Sequence, residues 1–421
     1  MKVLIISHNC FSATQSMGKT LASFFGGFDN SEVMQLYLYP SLPNIKKYDN
    51  YFRITDKDVL KSIFKRKKCG RKILPEEIKE SNELFESSDQ AQTYGDINRK
   101  SDLVRRARDF VWSIGCWKTR ELIEWLEQGK PDVVFYALGD AVFSQNIAMW
   151  AADYLDIPLV TYVCDEFYFT FKNGSLKNKL INGILIKNIA KIQRKAKLSA
   201  TICESLGEVY KKEFGTPYIT VMTGSSFEAQ KSKAYLNSKE ISYIGNLGLE
   251  RWLALGDIQD TVTELNGELG TDYKLVYYGN KCNELEGKVE YGGRLSSDEV
   301  KQKMLQSFLL VHTETFNKEY TERLRYSVST KIADSLASGT PLLAYCPEEL
   351  ASAQHLIKNN CAVCITRKDL LKPMLGKIFA EPESLENICE NAYNTSVKCH
   401  NAGVSSQELK DKLGDLVVKN K

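Results

Sequence analysis

The stretch SVSTKIADSLASGTPLLAY, from Ser327 to Tyr345, packs a helix and a strand into nineteen residues. Ser329 or Thr330 is placed to cap a helix whose apolar positions Ile332 and Leu336 lie one turn apart. Gly339 and Pro341 end it before a buried strand. Lys331 therefore sits in the first turn, where the helix N-terminus already carries roughly +0.5 of an elementary charge and a cation is repelled. A bound anion relieves that repulsion. Asp334, one turn further on, can pair with Lys331 for ~0.5 kcal/mol or less. Alternatively, Lys331 and nearby amides hold a diphosphate while Asp334 accepts ribose hydroxyls.

Outward from this segment, short apolar runs alternate with amphipathic stretches along the chain, the pattern of a doubly wound α/β protein with a parallel sheet. The first half predicts strands at 3–7, 33–37, 133–138, 159–163, 200–203 and 219–222. The second half predicts them at 241–244, 274–278, 289–291, 308–312, 341–344 and 362–365. Two sheets fit the 421 residues, with a polar boundary over 224–240. The expected domains are 1–235 and 236–421, the last ~20 residues packing back on the first. Residues 40–100 are charged and poor in pattern, which predicts an insertion or excursion.

Hydrophobic residues make up 43% of the chain and charged ones 26%, the balance of a globular protein with a large core. Eleven cysteines, scattered and odd in number, predict reduced thiols in a cytoplasmic compartment. Cys361-Ala-Val-Cys364 has zinc-knuckle spacing without a second such pair, and its alternation reads as a strand; no metal site is expected. The N-terminal apolar run is too short for a secretory signal, and no run approaches the ~18 apolar residues of a membrane span.

Basic residues gather in the first half. Lys61–Lys72 contains no acid, and Lys172–Lys197 holds eight Lys or Arg and no acid, interleaved with Leu180, Ile181, Ile184, Leu185, Ile186 and Ile189. Such a stretch either lies on an anionic membrane, at ~1 kcal/mol per cation, or is a solvated helix face. No nucleic-acid reader accompanies the charge, and no nucleic-acid partner is expected.

Near the N-terminus, Gly18-Lys19-Thr20 has the ending of a phosphate-binding loop, with Asp140 and Asp165-Glu166 as acids after later apolar runs. Against a nucleotide triphosphatase, Ala13 stands where the first glycine belongs, and five residues separate it from the strand ending at Ser7. Gly18 and Lys19 can still hold a phosphate at a helix start.

The Ser327–Tyr345 segment resembles the GT-B glycosyltransferases, specifically a retaining, family 4-like group of bacterial surface-polysaccharide type, in the form S-x-K-x-x-E/D-x-x-A-x-G-x-P. Asp334 stands for the family's ribose-binding acid, and Tyr326 takes the place of its earlier glutamate. Tyr243–Trp252, YIGNLGLERW, is similar to the family's strand and glycine turn G-R-L-x-x-E-K, with Gly245 retained, Asn246 for the arginine and Arg251 for the lysine. Val289–Leu295 looks like the turn facing the nucleotide base, with Arg294 and Leu295 at the contacting positions. Glu314, ending LLVHTETF, is able to replace the missing sugar-facing acid. The likeness covers nearly the whole chain apart from residues 40–130.

The resemblance implies two Rossmann-like domains facing across a cleft. The co-substrate would be a nucleotide-diphosphate sugar, with no other cofactor and no metal. Gly18, Lys19, Gly245, Asn246, Arg251, Ser329, Thr330 and Lys331 would hold its diphosphate. Arg251, Lys331 and Asp165 would carry the chemistry, as a hexosyltransferase. His8, Asp140 and Glu166, at strand ends, would orient the hydroxyl of a glycan or lipid-linked acceptor. The expected location is the cytoplasm, either free or at the inner face of the membrane. A sugar-nucleotide epimerase, a nucleotide triphosphatase and a non-catalytic nucleotide-binding protein remain the alternatives.

Overall fold

The computed structural model describes residues 1–13, 16–65, 69–78, 102–225 and 227–420. Part of the basic run 61–72 (residues 66–68) and the latter part of the 40–100 stretch (residues 79–100) lie outside the described residues. The chain forms two compact units, Met1–Met222 with Ser405–Lys421, and Thr223–Val404.

The first unit is built on an eight-stranded sheet: β1 (Val3–Ser7), β2 (Val33–Tyr37), β3 (Tyr51–Arg53), β4 (Arg71–Ile73), β5 (Val133–Ala137), β6 (Leu159–Val163), β7 (Leu198–Thr201) and β8 (Tyr218–Thr220). Their order is β4-β3-β2-β1-β5-β6-β7-β8, parallel except for the β3–β4 pair. Val3 pairs with Val33 on one side and Val133 on the other. These central strands are buried throughout, which is why they read as continuous apolar runs. Leu409, Leu413 and Val417 complete this unit's core beside Val3, Phe24 and Phe135.

The second unit carries six parallel strands, β9 (Glu240–Ile244), β10 (Lys274–Tyr278), β11 (Glu290–Tyr291), β12 (Leu309–Thr313), β13 (Leu342–Tyr345) and β14 (Val363–Ile365), in the order β11-β10-β9-β12-β13-β14. Its separate core joins Ile241, Leu255, Leu309, Leu343 and Leu375. The 224–240 stretch packs within this unit, with Gln230 N–H donating to the Ala337 carbonyl (3.0 Å) and Tyr235 buried.

Two expectations need correction. No strand was expected within 40–100, yet residues 51–53 and 71–73 form β3 and β4, which extend the sheet beyond β2 and are too short for a period to show. The outermost, Arg-Lys-Ile, puts two exposed cations on the open edge, a common protection against further pairing. Thr330 occupies the N-cap of the helix Lys331–Ala337, but its backbone is helical and its side chain makes no capping bond.

All eleven cysteines are free thiols. Among the described residues, no group of three or more His, Cys, Asp or Glu could hold a metal ion, and no helix is long and apolar enough to cross a membrane.

Candidate functional site

In an open parallel sheet, ligands bind beyond the carboxyl ends of the strands, where the strand order reverses direction. In the second unit that point lies between β9 and β12, because β10 and β11 extend one way from β9 while β13 and β14 extend the other way from β12. A cavity of about 300 Å³ opens there, lined by the ends of β9 and β12 and by the segment Ser327–Ile332.

Arg251 enters it as the first residue of the helix Arg251–Leu269. The turn before it sets two consecutive non-glycine residues, Leu249 (φ 59°) and Glu250 (φ 61°), in the left-handed region. Such strain persists only where the surroundings hold it. Arg251 Nε donates to Glu314 Oε2 at 2.6 Å, and both side chains are largely buried. Asn317 Nδ2 donates to Glu250 Oε2 (2.9 Å), bracing the turn against the loop after β12.

Lys331 reaches across to the end of β9. Its Nζ donates to the Ile244 carbonyl (3.1 Å) and lies 5.7 Å from the Tyr243 ring centroid. A Cβ on Gly245 would fall 1.8 Å from that Nζ, so only glycine admits the ammonium. Lys331 is exposed as a residue, yet its ammonium lies against the backbone at the end of β9. Burial and then the Arg251 charge lower its pKa to about 8, opposed by Glu314. Solvent entering the cavity moderates that effect.

His312, on β12, also lines the cavity. Burial is the main cause lowering its pKa to about 4, and its Nε2 is a buried atom with no hydrogen-bond partner among the described residues. A buried polar atom left unpaired in a ligand-sized cavity is costly, and a ligand group could satisfy it. Sequence reasoning missed His312; its only signal is a polar residue directly after the apolar run Phe308–Val311.

The structure brings Arg251, Lys331, Glu314, Asn246, Ser329 and Thr330 to this cavity. Asn246 is partly used in its own turn, its Oδ1 accepting from Gly248 N–H (2.7 Å). Asp334 is not among the lining residues and accepts from Ser225 Oγ at 3.1 Å. Nor do Arg294 and Leu295 line it; they fall between β11 and the helix Ser297–Gln306.

In the first unit, the strand order reverses between β1 and β5, and His8 and Asp140 follow those strands. Asp140 Oδ2 lies 3.5 Å from an Arg105 nitrogen. The pKa of His8 falls to about 3, through burial first and the Arg108 charge second, against the pull of Asp56. Glu166, after β6, accepts from Phe169 N–H (2.6 Å), Thr170 N–H (2.8 Å), Thr170 Oγ1 (3.0 Å) and Tyr210 Oη (3.4 Å), so its carboxylate is taken up by first-turn amides of the helix Tyr168–Lys172. Asp165 is exposed beside it. Gly18 and Lys19 lie in the helix Ser16–Phe25. A Cβ on Gly18 would meet the Cys10 carbonyl at 2.4 Å, so this glycine lets the β1 loop cross the helix.

A family model described as glucosyltransferase 3-like, C-terminal domain, matches residues 256–410, most of the second unit. Solved structures align along nearly the whole chain. HepE from Anabaena in complex with UDP-glucose gives a TM-score of 0.57 at 12% identity, covering 99% of this chain and 100% of that one. An alpha,alpha-trehalose 6-phosphate synthase from Burkholderia multivorans gives 0.61 at 10%, with complete coverage of both chains. Sucrose-phosphate synthase from Thermosynechococcus elongatus gives 0.59 at 8%, again with complete coverage. The fold is GT-B. At these identities the likeness speaks for architecture alone. No curated protein sequence matches the chain.

Proposed function

We propose that this chain is a glycosyltransferase of the hexosyltransferase type, moving a sugar from a nucleotide-diphosphate donor to a hydroxyl of a glycan or lipid-linked acceptor. The observation that carries this reading is the pairing of Arg251 and Lys331 at the switch-point cavity, two cations against the one carboxylate of Glu314. The matched glucosyltransferase 3-like model over the same unit, and the UDP-glucose held by the similar HepE structure, favour a nucleotide sugar over other diphosphate esters.

The chemical difficulty is departure of the nucleoside diphosphate. As the glycosidic bond breaks, negative charge grows on the β-phosphate, and fixed cations in a site partly closed to water stabilise it where it forms. Lys331, held in place by the Ile244 carbonyl, meets that charge, and Arg251 is oriented by Glu314. The two cations make a metal unnecessary in this scheme. Glu314 and His312 face the sugar end, where carboxylate and neutral imidazole can accept or donate to its hydroxyls. Retention of configuration would follow from attack on the same face as the leaving phosphate. Asp165, exposed after β6, would act on the acceptor side.

The test is a thermal-shift series over nucleoside diphosphates, their sugars and ATP, followed by turnover of the best binder. A donor at a hundred times its dissociation constant should add ~2.7 kcal/mol. Stabilisation by ATP alone would overturn the proposal in favour of a triphosphatase. Binding without transfer or hydrolysis would leave a nucleotide-binding protein, and conversion of the donor sugar itself would leave an epimerase.

A further inference from the structure

The helix Leu176–Lys195 divides lengthwise into two faces. One packs into the first unit through Leu185, Ile189 and Ile192. The other leaves Leu176, Leu180 and Ile184 at 80%, 81% and 61% exposure. At 100° per residue these three fall within about 80° of arc, and Lys187 and Lys191 continue the same stripe toward the C-terminus. Lys177 and Lys179 flank it. Across a groove of about 850 Å³, the helix Asp102–Ile114 adds exposed Phe110 and Ile114, with Arg105, Arg106 and Lys118 on the groove walls.

This surface is apolar at its crest and basic around it. The helix contains no acid. Lys172 is paired with Glu213 and Lys195 with Asp153, but no ion pair among the described residues engages Lys177, Lys179, Lys187 or Lys191. The groove's own acid, Asp109, is bonded to Phe143 N–H (3.1 Å). Three large aliphatic side chains in water are unfavourable, and a ring of unpaired lysines around them repels a second identical face. A plane of anionic headgroups over acyl chains accommodates both features, with the leucines reaching the acyl boundary and the lysines meeting phosphate.

We propose that this face docks the first unit onto an anionic lipid bilayer, with Leu176, Leu180 and Ile184 inserting and Lys177, Lys179, Lys187 and Lys191 contacting headgroups. The surface is separate from the switch-point cavity, and neither reading depends on the other.

Co-sedimentation of the full chain with vesicles tests it, using phosphatidylcholine alone and phosphatidylcholine mixed with phosphatidylglycerol. The protein should partition onto the mixed vesicles at least about tenfold more strongly, and added salt should release it. Leu176→Ser/Leu180→Ser/Ile184→Ser and Lys177→Gln/Lys179→Gln/Lys187→Gln/Lys191→Gln should each lower partitioning about tenfold or more. The altered side chains are exposed, so melting temperatures should hold. Equal partitioning onto both vesicle types, or undiminished binding by either variant, overturns the proposal. So does concentration-dependent self-association that the aliphatic variant abolishes, which would assign the face to a second copy of the chain.

Discussion

Both units place a reversal of strand order at the carboxyl edge of a parallel sheet, yet the two edges differ in what their polar groups do. In the first unit, the carboxylate of Glu166 is occupied by four donors, Asp140 sits near Arg105, and His8 is held neutral. In the second, two cations converge on one carboxylate, and a buried imidazole nitrogen has no partner among the described residues. Unpaired buried polar atoms occur near both edges among the described residues, at Arg108 Nη2 and at His312 Nε2, but only at the second reversal do two cations and one carboxylate meet at a described cavity, which suits an anionic ligand.

The contrast breaks most completely if the cations are removed. Arg251→Met/Lys331→Met should lower donor turnover, read as kcat/KM, by about a thousandfold or more, because fixed charges facing the leaving group are usually the largest catalytic contribution. Undiminished turnover would sink the proposed function. Arg251→Met alone also leaves Glu314 buried without its cation. Its unfolding free energy in urea should drop by ~3 kcal/mol, and Arg251→Met/Glu314→Gln should recover much of that loss. Failure of the second change to recover stability would mean that the ion pair is not what holds the turn.

Next in size is the close approach at the end of β9. Gly245→Ala would place a methyl group where the Lys331 ammonium lies, and the conflict is resolved only by moving Lys331 or the strand end. A stability loss of ~1–3 kcal/mol is expected, with weakened donor binding. Gly245→Ala/Lys331→Ala should regain part of that stability without regaining binding, because the strain of a side chain at φ 157° remains. If the single variant binds donor normally, the placement of Lys331 is wrong.

Much of this architecture was legible beforehand, for a physical reason. Parallel strands buried on both faces must be apolar along their length, so Val3–Ser7, Val33–Tyr37 and Leu159–Val163 stand out against the amphipathic helices between them. β3 and β4 escaped because three-residue strands show no period, and exposed Arg71 and Lys72 look like loop residues. At the cavity, Arg251 and Lys331 could be singled out by type and placement. The short contact between Lys331 and Gly245 could not, since it joins segments some eighty residues apart and depends on strand order. Asp334 shows the reverse limit: helical spacing suggests a shared face with Lys331, whereas packing engages it with Ser225.

A smaller effect sharpens the electrostatic side of the comparison. The pKa of Lys331, about 8, is below that of an ordinary lysine, so folding disfavours its charged form. The native state then binds fewer protons than the unfolded chain between pH ~8 and pH ~10.4, and this group's contribution to stability rises with pH across that window. Donor affinity should run the opposite way. A diphosphate prefers the ammonium, so affinity should weaken as pH climbs through about 8, with proton uptake on binding above that value. Calorimetric titrations in buffers of different ionisation enthalpy would detect the uptake. Lys331→Met should remove both the affinity slope and the uptake, and a slope that persists in that variant would move its origin to another group.

The smallest stability effect belongs to His312, and it bears directly on what the cavity is for. Its Nε2 has no partner among the described residues, so the folded state bears the cost of stripping water from a polar atom without a bond in return. His312→Phe should therefore change unfolding free energy by less than about 1 kcal/mol, and in either direction. A residue whose polarity served only packing would change nothing else. If the ring instead meets a hydroxyl of the donor sugar, the same variant should raise the donor KM about tenfold or more while leaving affinity for the bare nucleoside diphosphate nearly unchanged. Equal loss for both ligands would place His312 at the diphosphate. No loss for either would make the unpaired nitrogen a packing defect, leaving the cation pair as the feature that sets this edge apart from its counterpart.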